Sequence, residues 1–166
     1  MRQTNMRRGF TMIELVFVIV IIGILAAVAI PRLAANRDDA TAATCVQQIG
    51  NIVSEATTQY AKRGYSDFQT LTVGEMTNVK TGATDTATGL TQAGTASVKD
   101  GLNFNCEGGE VVAITFGQSP DSNATYEMKI DVSGANTTVP AAIKAVEIVK
   151  KNYNITDTNT TTTISL

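Results

Sequence analysis

Glu14 is the first acidic residue in the chain, and it heads a run, Leu15 to Ile30, in which no side chain is polar. A carboxylate in that position could carry a proton, ligate a metal or pair with a charge. Each of these chemistries needs a second group, and the sequence offers few. There is no histidine and no tryptophan among the 166 residues. That removes the commonest general base, the commonest zinc ligand and every Ser/His or Cys/His nucleophile pair. The remaining acids are not spaced as a catalytic constellation, so an enzyme is a distant reading and no cofactor or metal is expected. Charge pairing is the chemistry left for Glu14. An intramembrane carboxylate costs about 2.5–3.5 kcal/mol at a helix centre and less near an end. The bland alternative is an acid tolerated because it stays wet at the interface.

The element that positions Glu14 is the apolar segment itself. Phe10 to Ile30 is 21 residues, about 31 Å as a helix and enough to span a hydrocarbon core. Arg2, Arg7 and Arg8 precede it with no acid among them. The positive-inside tendency therefore puts the N-terminus in the cytoplasm and the rest across the membrane. Beyond Gly9 the chain carries a net charge of −5, and with no basic stripe no nucleic-acid partner is expected. Three fates fit this segment. It could be an uncleaved anchor. It could be a secretory signal cut at the small-x-small site Ala27-Val28-Ala29. Or it could be cut before the apolar run, which then stays on the mature chain.

The residues around Glu14 favour the third. Gly9-Phe10-Thr11-Met12-Ile13-Glu14-Leu15, preceded by Arg7-Arg8 and followed by the apolar run, closely resembles the N-terminus of type IV pilins and of the pseudopilins of type II secretion. The match covers about residues 7 to 35. The resemblance implies that a prepilin peptidase cuts between Gly9 and Phe10 and methylates the new N-terminal Phe10. The apolar helix then serves as the assembly domain. It also gives Glu14 a partner. In a bundle of such helices the N-terminal ammonium of a neighbour can lie beside Glu14, and two charges that are each costly in lipid become cheaper as a pair. Such pairing holds at one axial offset between subunits, so Glu14 reads as a register and recruitment residue. Gly23 and Pro31 mark the softest part of the helix. Proline removes one backbone hydrogen bond there and favours a kink, or marks where membrane ends and ectodomain begins.

After Pro31 the apolar positions Cys45, Ile49, Ile52, Val53, Ala56 and Tyr60 recur at steps of three and four, the stripe of an amphipathic helix. Lys62-Arg63-Gly64 reads as its C-terminus. The expectation is one helix over about 11–62. A short helix around Phe68 to Val79, capped at Asp67, then leads into a Thr-, Gly- and Ala-rich loop at 81–97. From 101 the pattern turns to strands. Alternation in "LNFNC", "GGEVVAITFG" and "ATYEMKIDVSG", with a turn at "GQSPDSN", predicts a meander of three or four strands on the helix stripe. "VPAAIKAVEIVKKNYNI" reads as a further helix at about 140–152, and "TTTTISL" as a possible last strand.

Together with the resemblance this predicts an α+β pilin-like protein. Its parts are a leader (1–9), a transmembrane and filament-core helix (10–30), an amphipathic helix (31–62) and a globular head (63–166). Cys45 and Cys106 are the only cysteines. With the head in an oxidising compartment they can form one disulfide, the alternative being two buried thiols. Asp100, Glu107 and Glu110 could offer oxygen ligands to calcium, as loops of some major pseudopilins do, but they lack any recognised loop spacing and are expected to be solvated turn acids. Asp121-Ser122-Asn123-Ala124-Thr125 and Asp157-Thr158-Asn159-Thr160-Thr161 fit the acid-extended glycosylation sequon of some bacteria.

The function expected is a filament subunit, most simply a type II secretion pseudopilin, with a type IV pilus pilin as the near alternative. A secreted or anchored binding module is the alternative of another class. The partners implied are the prepilin peptidase, other copies of the chain and other pilin-like subunits, an inner-membrane assembly platform and membrane lipid. The expected location is the bacterial inner membrane, with the head periplasmic before it joins a filament.

Overall fold

The computed structural model describes residues 9–79, 88–90, 94–118, 126–135 and 138–166. Contacts divide the chain into two units, Met1–Arg37 and Asp38–Leu166.

The first unit holds Phe10 and the beginning of helix α1 (Met12–Gln69), and its large apolar side chains from Phe10 to Leu33 face outward. Phe10 is 90% exposed and Leu33 71%. None of the described residues of this unit is buried, so its apolar surface is available to lipid or to other helices. Gly23 and Pro31 both lie inside α1, and the dihedrals stay helical through them. Non-helical dihedrals in α1 fall at Gly64 instead (φ 74°, ψ 177°), a conformation that essentially only glycine adopts without strain. The expected C-terminus at Gly64 is thus a break, after which the chain resumes a helical turn as far as Gln69.

Among the described residues of the second unit five strands form an antiparallel meander in the order β1 (Thr88–Leu90), β2 (Leu102–Cys106), β3 (Gly109–Gln118), β4 (Tyr126–Asp131), β5 (Thr161–Ser165). Successive side chains of a strand point to opposite faces. Leu102 and Phe104 on β2, Ile114 and Phe116 on β3, and Met128 and Ile130 on β4 are accordingly buried on one face. The α1 stripe Ala42, Cys45, Ile49, Ile52 and Ala56 completes the same core. A register shift between Phe104 and Asn105 marks a bulge in the β2–β3 ladder.

Helix α3 (Pro140–Asn152) begins with proline in its first turn and ends with Lys150 and Lys151, as its sequence predicts. It buries the small residues Ala141, Ala142 and Ala145, so its backbone approaches the sheet closely. At Gly109 an added Cβ would lie 2.7 Å from the Ala142 Cβ and 3.1 Å from the Val139 Cβ. Lys144 pairs with Asp39 of α1 at 2.5 Å.

Two expectations are corrected. The short helix α2 is Val73–Met76, and Thr72 caps it. Its N–H and hydroxyl donate to the Glu75 carboxylate at 3.0 and 2.9 Å, whereas Asp67 lies inside α1. The stretch read as loop at 81–97 contains β1, which makes the sheet five-stranded. It is followed by a 3-10 turn at Val98–Asp100. The turn expected within 117–123 falls largely outside the described residues.

Candidate functional site

The first turn of any helix leaves backbone N–H groups without intrahelical partners. At the start of α1 the chain supplies its own solution. The Thr11 N–H and the Thr11 hydroxyl both donate to Glu14 Oε2 at 2.8 Å, and the Glu14 N–H donates to Thr11 Oγ1 at 3.4 Å. This is a reciprocal capping box, with the acid also placed at the favourable end of the helix dipole. Glu14 Oε1 takes no hydrogen bond among the described residues, so one carboxylate oxygen is committed to the cap and one is open to an outside donor. Thr11 is the residue that sequence reading missed. The signal was present as Thr-x-x-Glu immediately before an apolar run.

Gly9 and Phe10 precede the helix, in exposed chain without secondary structure. The peptide bond between them is thus open to a protease without unwinding α1. Downstream, α1 contains an 18-residue window of mean hydropathy 3.1, none of it buried, and is long and apolar enough to cross a membrane. The geometry therefore gathers an exposed peptide bond, a self-capped acid and a greasy helix into one short segment.

In the second unit Cys45 on α1 and Cys106 on β2 are joined as a disulfide, with Cα atoms 5.9 Å apart and 61 positions between them. Both are buried. The acids weighed for calcium are separated by role. Asp100 is exposed at the end of the 3-10 turn, and Glu107 occupies a left-handed turn position (φ 50°). Glu110 accepts a bond from Asn103 Nδ2 at 3.4 Å. No group of three or more metal-ligating side chains is found among the described residues. Asn159 is exposed in the loop before β5, and Asn123 lies outside the described residues.

The family-model match falls on the same segment. Residues 4–30 match the family model of the prokaryotic N-terminal methylation motif. The chain is 45% identical over 49 residues to type II secretion system core protein G of Escherichia coli (strain K12), a stretch that covers 30% of this chain and 34% of that protein. It thus spans about a third of the length of the curated relative it matches. No solved structure matches significantly. With the α+β fold of a long N-terminal helix followed by an antiparallel sheet, these findings make the chain similar to type IV pilins and pseudopilins and support a pilin-like subunit. Pilins and pseudopilins are structural subunits, and the apolar helix, one of its kind among the described residues, is consistent with anchoring in an inner membrane.

Proposed function

We propose that this chain is a pseudopilin of a type II secretion system. A prepilin peptidase cuts it between Gly9 and Phe10 and methylates Phe10, and it polymerises through residues 10–30. The observation that carries this reading is the methylation motif heading an unburied apolar helix, together with the 45% identity to a core protein of type II secretion. Packing of the side chains between Phe10 and Leu33 among neighbouring helices holds the polymer, and once it leaves the membrane each large apolar side chain kept out of water contributes about 1.5–3 kcal/mol. Within the membrane that term vanishes, and packing and polar pairing decide. The open Oε1 of Glu14 receives the N-terminal ammonium of an adjacent subunit and so fixes the axial offset. The working partners are further copies of the chain, other pilin-like subunits and the assembly platform in the inner membrane, with the head on the periplasmic side.

Intact mass and the N-terminal peptide of the protein from its native membrane test the processing step. A chain starting at methylated Phe10 is expected; one starting at Ile30 or Met1 would sink the filament reading. A strain lacking the protein tests the machine. Lost export of folded proteins with surface pili intact supports the pseudopilin, and the opposite pattern makes it a pilus subunit.

A further inference from the structure

Four Asn-x-Thr triplets, at Asn123, Asn136, Asn154 and Asn159, all fall after residue 120. Those at Asn123 and Asn159 have aspartate two residues earlier. Asn154 and Asn159 lie among the described residues, and their surroundings differ. Asn154 sits at φ 54° between a half-buried Tyr153 and a buried Ile155, whose N–H donates to the Lys150 carbonyl at 2.8 Å. Drawing that triplet into an enzyme pulls Ile155 from the core. Asn159 stands in the exposed loop that leads to the edge strand β5. The Thr161 hydroxyl donates to Asn159 Oδ1 at 3.3 Å, and Asn159 Nδ2 makes no hydrogen bond among the described residues. The Asp157 side chain is 92% exposed, touching Lys150 at its outer end.

We propose that Asn159 is an acceptor site for an N-linked oligosaccharide. Its donor is a lipid pyrophosphate-linked oligosaccharide, and an oligosaccharyltransferase recognises Asp157 and Thr161 on either side of the acceptor. Asn159 Nδ2 forms a bond to the anomeric carbon while the bond from that carbon to the pyrophosphate oxygen breaks. The lipid pyrophosphate leaves with the electron pair, and the amide gives up one proton. The assignment rests on the periplasmic placement of the head proposed above, because transfer of this kind takes place outside the cytoplasm.

The test is fragmentation mass spectrometry of the full chain purified from its native membrane, for wild type, Asn159→Gln, Thr161→Val and Asn154→Gln. The expected result is a hexose- and hexosamine-type mass increment on Asn159, lost in N159Q and T161V and kept in N154Q. An unmodified Asn159 in the native chain, or sugar confined to Asn123 or Asn154, overturns the proposal. The N-terminus is read from the same sample. A methylated Phe10 start with bare Asn159 removes the acceptor site and leaves the filament reading standing. Sugar on a chain starting at Ile30 does the reverse.

Discussion

At the level of single residues, the cap that Glu14 makes and the register role proposed for it can be separated by substitution. One oxygen caps its own helix through Thr11, and the other is open. Glutamine at that position keeps the capping geometry, since a capping box accepts Gln as well as Glu, but removes the charge. Glu14→Gln should therefore insert and be processed normally yet fail to build filaments, scored by electron microscopy of shear fractions and by cross-linking between copies. Normal filaments from E14Q would mean that Glu14 serves as a cap and not as a charge partner. Thr11→Val isolates the other role, because the hydroxyl goes while the charge stays. Loss of such a cap costs about 1 kcal/mol, roughly a fivefold change in an opening equilibrium. Amide exchange in detergent should be several-fold faster in the first turn of α1 and unchanged beyond it.

Two elements of the head depend on contacts that a single change would disturb. The Cys45–Cys106 bond closes α1 onto β2 across 61 positions, and in the chain-entropy model a loop of that size is worth about 4 kcal/mol. Reduction, or the Cys45→Ala/Cys106→Ala pair, should lower the thermal midpoint of the detergent-solubilised chain by roughly 10–15 °C. A shift below about 3 °C would mean the core holds this junction without the bond. Gly109→Ala drives a methyl group into Ala142 of α3. The expected loss is about 1–3 kcal/mol, the usual cost of overpacking. These elements also show what the sequence made legible. The stripe Cys45, Ile49, Ile52 and Ala56 and the alternation of Tyr126, Met128 and Ile130 are periodic, so their burial could be read in advance. Strand β1 was hidden because three residues, Thr88-Gly89-Leu90, are too short to show a period and sit within a Thr- and Gly-rich run. Thr72 displaced Asp67 as a cap because its partner Glu75, three residues on, closes a capping box. The close approach of α3 to Gly109 depends on tertiary distance, which no local pattern encodes.

For the molecule as a whole, pH acts through groups spread over the head and sets the window in which it stays folded. Burial works against the Asp131 carboxylate, but the Ser133 N–H at 2.8 Å, with Lys129 and Thr160, outweighs it and holds the group below its ordinary 3.8. The Thr72 N–H lowers Glu75 from its ordinary 4.5, and the hydrogen bond from Lys150 lowers Asp157. A carboxylate whose folded pKa is depressed adds stability that is fully present above its unfolded pKa and is lost as pH falls through the folded one. At the other end, burial raises the phenols of Tyr126 and Tyr153 above their ordinary 10.0. Neutral phenol is then favoured in the folded state, so that contribution is complete below the unfolded pKa and is lost as pH climbs through the raised value. The thermal midpoint should thus be flat between about pH 5 and pH 9, falling below about pH 4 and again above about pH 10. Each limb has its own control. Asp131→Asn should flatten the acid limb, because Asn cannot be protonated, and leave the alkaline limb unchanged. Tyr153→Phe should soften the alkaline limb and leave the acid limb alone. If D131N instead lowered the midpoint equally at every pH, the Ser133 contact would be a hydrogen bond of fixed strength, and the acid limb would have to come from other carboxylates.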